Sequence, residues 1–195
     1  MPVRYYPASS YIQRPWKNGV GQTDEIYLMP KESTRDSFDI RVSSAAISEP
    51  GVFSPFPGVD RVITVIRGHG LSLSFESGTV QLPPFQPFKF DSTMTPFSDP
   101  GAEETRVLNV MVNRAKWTIT DFRVLTDKTV LRCGEGGLIF VFAANAPCRI
   151  RSQGHDVELG ILDTAFADES AEIIPQPSAV EDTIPRVLAG VLDLV

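Results

Sequence analysis

The sequence predicts an all-β protein, and three observations carry that expectation. Leu71, Leu73 and Phe75 alternate with Ser72, Ser74 and Glu76, a period of two with one apolar face. The chain holds 14 glycines and 16 prolines in 195 residues, an excess of turn formers set among short Val, Ile, Leu and Phe stretches. No segment sustains a 3.6-residue apolar period, and Pro185 interrupts the one C-terminal stretch that approaches it.

Taken in order, strands are expected over residues 23–29, 38–47, 62–66, 71–75, 105–112, 117–125, 138–143, 157–162 and 186–195, with turn clusters at intervals that fit a sandwich or barrel. The Gly68-His69-Gly70 turn between the third and fourth of these reads as a hairpin connection. Residues 92–104, STMTPFSDPGAEE, form the longest polar connection and read as a loop. A boundary between two β-units is expected near residues 115–117, although no residue-level repeat relates the halves. A length of 195 residues suits one large domain or two small ones packed as a unit.

Charge and composition exclude several function classes. With 18 basic and 24 acidic residues the net charge is -6, the wrong sign for a nonspecific nucleic-acid or anionic-membrane binder. From Asp163 onward there are seven acidic residues and one Arg, which reads as a solvated acidic face or, alternatively, an interaction surface. The opening MPVRYYPASSYIQRPWKNG contains no apolar run of signal-peptide type, and no stretch approaches the ~18 apolar residues of a membrane span, so a cytoplasmic location is expected. Cys133 and Cys148 are too few for a disulfide framework and are expected to be reduced and buried, with a single bridge as the alternative.

Several constellations are candidates for chemistry. In PWKNGVGQTDEI (residues 15–26), Gly19-x-Gly21 has no third glycine and no following helix, so it does not read as a phosphate loop. Asn18, Thr23 and Glu25 there either point into a shared cavity or cap a hairpin with Glu25 in solvent. The rigid segment GVFSPFPGVDR (residues 51–61) places Asp60 and Arg61 beside an apolar run, where an arginine must be paired or reach water. Two readings stand: an ion pair between these neighbours, or a pocket. Arg41 poses the same question, alternating with Ile40 and Val42 and sharing a strand face with Asp39 and Ser43. Asn109 interrupts an apolar strand, with Met111 on its face.

PWKNGVGQTDEI, FDIRVSSAAI, GVFSPFPGVDRVITVIRGHGLSL, PFKFD and RVLNVMVNR together resemble the HutD/Ves family in order and approximate spacing, over about residues 11–126. The resemblance implies a cupin-type β-barrel (jelly-roll) fold with two barrel units, residues 1–115 and 116–195, packed as a bicupin. It implies no cofactor and no metal, because family members lack the His-x-His and Glu set of catalytic cupins. It further implies a regulatory protein that moderates histidine utilisation in bacteria by binding a small acid such as N-formylglutamate, rather than by catalysing a step. The motif positions carried over are Trp16, Asn18, Gly19, Gly21, Thr23, Glu25, Arg41, Ser43, Phe53, Phe56, Pro57, Gly58, Asp60, Arg61 and Asn109. Two departures, Val20 where a third glycine is common and Ile40 where an aromatic is common, bear on ligand identity more than on fold.

The expected site is therefore a barrel mouth formed by Trp16, Asn18, Thr23, Glu25, Arg41, Ser43, Phe56, Asp60, Arg61 and Asn109. Arg61 and Arg41 would bind a carboxylate, Asn18 and Asn109 would supply amides, and Trp16 and Phe56 would form apolar walls. The ligand class is a small carboxylate metabolite of the formylglutamate or urocanate type, and a homodimer is compatible with the reading. One alternative is a metal-independent isomerase or hydrolase with Glu25 as general base. Another is a protein interaction module using the acidic C-terminal part.

The only histidines, His69 and His155, lie in glycine-containing turns far apart in sequence, with no partner at metal-ligand spacing. Elemental analysis of purified protein is expected to find no stoichiometric zinc, iron, manganese or nickel. About one metal per chain, removable only with loss of folding or activity, would contradict this and revive the enzyme reading.

Overall fold

A computed structural model of the chain describes residues 3–15, 21–178 and 183–195. Among these residues there is no α-helix, only a 3-10 turn at Ala8–Ser10. The chain opens with β1 (Val3–Tyr6). Next come β2 (Ile12–Pro15), β3 (Gln22–Met29), β4 (Ile40–Ile47), β5 (Gly51–Val52), β6 (Val59–Arg67), β7 (Leu71–Phe75), β8 (Gly78–Leu82), β9 (Phe88–Asp91), β10 (Phe97–Asp99) and β11 (Thr105–Asn113). The remainder are β12 (Trp117–Leu125), β13 (Thr129–Arg132), β14 (Leu138–Ala143), β15 (Cys148–Ser152), β16 (His155–Leu159), β17 (Thr164–Ala167), β18 (Ser170–Pro175) and β19 (Val187–Leu194).

Two compact units result. In the unit Ile12–Lys116, a six-stranded sheet of order β2-β3-β4-β11-β6-β9 is accompanied by a four-stranded sheet of order β5-β10-β7-β8. Apolar side chains from both sheets share one core cluster: Ala45, Ile63, Val65 and Val107 from the larger sheet, and Leu71, Leu73 and Leu82 from the smaller. The other unit combines Trp117–Val195 with the residues up to Tyr11, in sheets of order β1-β17-β14-β19-β12 and β13-β18-β15-β16. Its core is built from Ile139, Val141, Ile150, Leu159, Ile173, Val187 and their neighbours.

The expected division into residues 1–115 and 116–195 differs from this at the N-terminus. β1 pairs antiparallel with β17, Val3 opposite Ala167 and Tyr6 opposite Thr164. Buried Asp163 fastens the segment: its carboxylate accepts from the Tyr5 hydroxyl at 2.6 Å, the Ala8 amide at 2.7 Å and the Gly160 amide at 2.9 Å. Sequence reading is blind to such a return because each partner lies over 150 residues away.

Three other expectations are corrected. β6 and β7 are not a hairpin: β6 pairs with β11 and β9, whereas β7 pairs with β8 and β10. Gly68 and Gly70, at φ of +102° and +143°, turn the chain from one sheet into the other. A Cβ on Gly70 would lie 2.9 Å from the Leu82 carbonyl oxygen, so backbone passes where a side chain would stand. The residues 92–104 loop contains β10, whose Phe97 and Ser98 join β5 to β7. Residues 157–162 are not one strand, since β16 spans His155–Leu159 and Leu162 lies at φ +71° in the following turn.

Gly70→Ala combines a left-handed backbone with a contact against backbone. It is expected to lower stability by about 1–3 kcal/mol in denaturant unfolding. An unchanged midpoint would contradict the sheet-to-sheet corner.

Candidate functional site

Strand alternation assembles the site on the inner face of the six-stranded sheet. On β4 that face carries Arg41, Ser43, Ala45 and Ile47. In register on β11, Met111 lies opposite Arg41, Asn109 opposite Ser43 and Val107 opposite Ala45. On the far side of β11, Met111 is also opposite Arg61 of β6, and Arg61 in turn is opposite Phe90 of β9. Two guanidinium groups therefore flank one methionine across three adjacent strands.

The first guanidinium is paired. Arg41 Nε donates to Glu25 Oε1 at 2.9 Å and Nη2 to Oε2 at 3.1 Å, a two-pronged bond between a half-buried guanidinium and a buried carboxylate. Glu25 reaches this position through a β-bulge: β3 slips register against β4 between Glu25 and Tyr27, with Glu25 opposite Ser43 and Leu28 opposite Arg41. Residues three apart in the chain thus share a face. Arg41 also lies 5.8 Å from the Phe56 ring centre.

The second guanidinium has no counter-ion. Arg61 is 6% exposed, and among the described residues no carboxylate forms an ion pair with it. Its Nε is buried without a hydrogen-bond partner. Three aromatic rings surround it instead, with centres at 5.3 Å for Phe53, 5.4 Å for Phe56 and 5.4 Å for Phe90. Ring faces attract a cation, but more weakly than a carboxylate at contact. Burial, reinforced by the positive charge of Arg41, pushes Arg61 well below an ordinary arginine, to about 9. Because this folded-state value lies below the unfolded one, the cost of burying the charge is fully present below about pH 9 and lifts as pH rises beyond it.

Arg61 faces a cavity of about 520 Å³, within the range of small-molecule sites. Thr23, Arg41, Ser43, Asn109 and Phe56 also line it. The Asn109 Oδ1 is a second buried polar atom without a partner, on a residue that is 7% exposed. Of the remaining expected residues, Glu25 stands behind Arg41 and is not on the wall, and Trp16 and Asn18 lie outside the described residues. Asp60 is not on the wall either: alternation turns it to the opposite face of β6, where it pairs with Arg114 at 2.8 Å and Lys89 at 3.4 Å. The neighbour ion pair between Asp60 and Arg61 is thereby replaced by two partners from other segments.

Sequence reasoning left Phe90, Met111, Arg35, Asp36 and Glu49 out of the site. The Phe88-Lys89-Phe90 alternation signalled a ring on one face, but nothing local placed it beside Arg61. The other unit has no equivalent polar floor, because Ile139, Val141, Ala165, Ala167, Val187 and Ala189 there belong to a closed apolar core. Among the described residues no group of three or more His, Cys, Asp or Glu is placed to hold a metal ion. Cys133 and Cys148 are free thiols, Cys148 buried and pushed up to about 12 by burial and by Asp163, Cys133 only half-buried.

The contrast between the two arginines is testable by substitution. Arg41→Met strands the buried Glu25 carboxylate and is expected to cost about 3–5 kcal/mol, whereas Arg61→Met removes an uncompensated charge and should leave the denaturant midpoint unchanged or raised. A loss of several kcal/mol in Arg61→Met would mean that the residue is structural.

A HutD family model matches residues 8–183. An uncharacterized 21.2 kDa protein from the hutC 3' region of Pseudomonas putida is 31% identical over 181 residues, 86% of this chain and 87% of its own. Protein Ves of Citrobacter koseri is 39% identical over 132 residues, 66% of either chain. Among solved structures, HutD from Pseudomonas fluorescens SBW25 (formate condition) superposes with a TM-score of 0.79 at 24% identity, covering 99% of both chains. The bacterial pirin YhhW from Escherichia coli, in complex with nickel(II), superposes with a TM-score of 0.66 at 10% identity, covering 97% of this chain and 98% of its own. These structural likenesses speak to fold, which is cupin-like. By the match over most of its length and the relative sharing nearly a third of its residues, the chain belongs to the HutD family.

Proposed function

We propose that this chain is a non-catalytic regulatory protein of bacterial histidine utilisation that binds a small carboxylate, N-formylglutamate or urocanate being the metabolite classes in view. The observation that carries the reading is Arg61, a buried guanidinium without a counter-ion that opens on a cavity. A charge left unpaired in a low-dielectric site is costly, and an arriving carboxylate removes that cost while satisfying the free Nε. Supporting the pathway assignment are the family membership and the hutC-region name of the P. putida relative. In the same reading each unit is one barrel of a cytoplasmic bicupin, the Ile12–Lys116 unit carrying the ligand and the other serving as scaffold.

Two rivals fare worse. An enzyme using Glu25 as general base needs that carboxylate free to meet substrate, yet both its oxygens are engaged by Arg41 and it is off the cavity wall. An interaction module built on the acidic C-terminal part needs unpaired acids. There Asp163 is buried among donors, Asp168 pairs with Arg4 at 3.0 Å and Glu172 with Lys128 at 2.6 Å.

Ligand at 100 times its Kd adds ~2.7 kcal/mol, which at ~2–4 °C per kcal/mol raises the Tm by roughly 5–10 °C. Thermal melts with N-formylglutamate, urocanate, glutamate and formate are expected to show such a shift in wild type for at least one formylated or unsaturated acid and none in Arg61→Met, with the acid recovered unchanged by mass spectrometry. Since Arg61 holds its proton below about 9, the affinity should be flat around neutrality and fall as pH climbs through that value. Turnover of the acid would favour the enzyme, and no shift with any acid would remove the ligand class.

A further inference from the structure

The cavity grades from polar to apolar along its floor, with the Thr23 side chain, opposite Ala45, part-way along. Along β4 its floor runs Arg41, Ser43, Ala45, Ile47, and alternate residues over six steps span roughly 20 Å. Across from them on β11 the order is Met111, Asn109, Val107. The half near Arg41 therefore offers guanidinium, hydroxyl and amide groups. The other half offers Ala45, Ile47 and Val107, which are 8%, 2% and 1% exposed and belong to the unit's apolar core. At the rim, Glu49 follows β4 just beyond Ile47, whereas Arg35 and Asp36, 3.7 Å apart, precede β4 on the Arg41 side.

We infer that the site is built for a monocarboxylate with an apolar chain or ring, its carboxylate on Arg61 and its body over Ala45, Ile47 and Val107, in preference to a dicarboxylate. This rests on the anion-binding reading of Arg61 and narrows it. The second charge of a dicarboxylate directed along the floor is desolvated against Ile47 and Val107, and beyond Ile47 it meets the Glu49 carboxylate. A methyl or ring edge in the same place gains by leaving water. Of the two metabolite classes above, only the unsaturated acid carries a single carboxylate.

Calorimetric titration of the wild-type chain with acetate, butanoate, pentanoate, hexanoate and glutarate, at one pH near neutrality, decides the matter. Burying one methylene is worth about a fourfold gain in affinity. Affinity is expected to rise by about that factor per carbon from acetate towards hexanoate. Pentanoate, which differs from glutarate only by a methyl in place of the second carboxylate, should bind at least about tenfold more tightly. Val107→Thr keeps the side-chain shape and is expected to flatten the chain-length gradient. Ile47→Thr serves the same purpose if that variant melts early. Glutarate binding as tightly as pentanoate, with both lost in Arg61→Met, would overturn the apolar-body inference and leave the anion site standing. Failure of every acid to bind wild type, or equal binding to Arg61→Met, would overturn the anion-site reading itself.

Discussion

One unbalanced charge organises the functional half of this molecule. The inner face of a six-stranded sheet holds a buried arginine, a half-buried one and a buried glutamate, and the glutamate is committed to Arg41 through both its oxygens. Arg61 is left with three aromatic rings and an unpartnered Nε. Had Asp60 faced inward, the two charges would have cancelled and the cavity would be an inert packing defect. Its alternation to the other face, and its capture there by Arg114 and Lys89, keeps Arg61 available.

The surrounding structure maintains that imbalance. Phe53 and Phe56 come from the proline-rich segment before β6, held by hydrogen bonds from the Phe53 amide to Pro96 O at 3.0 Å and from the Phe56 amide to Ser92 O at 3.0 Å. Phe90 comes from the edge strand β9, where it also meets Phe75 edge-on at 5.5 Å and stacks with Phe88 at 5.9 Å. The rings stabilise the cation partially and keep water from one side of it, so that affinity for an arriving anion is created by withholding a protein carboxylate. Among the described residues the unit Ile12–Lys116 carries this device, whereas the sheets of the other unit share an apolar core cluster.

Much of this was legible in the letters, and the limits are physical. Alternation alone puts Arg41 with Ser43 and Asn109 with Met111 on single strand faces, and the family motifs draw attention to Arg61. The hairpin expected at Gly68-His69-Gly70 failed because short glycine turns serve equally to join two strands of one sheet or to cross between sheets. Which acid would pair with which arginine depended on the bulge at Ile26, a register slip with no signature in QTDEIYLM, and on partners such as Arg114, 54 positions beyond Asp60 in the chain. β1 and β10 escaped notice because strands of three or four residues are specified by distant partners rather than by their own pattern.

The central claim is that Arg61 is kept as a buried, uncompensated cation for an external anion. Carbon-detected NMR of the Arg61 Cζ across an alkaline pH series tests it directly. Without ligand the guanidinium should titrate near 9, far below an ordinary arginine, and a saturating monocarboxylate should move that titration upward. An Arg61 Cζ signal that no acid moves at any pH would contradict the account, because a cation kept for an external anion must respond to one.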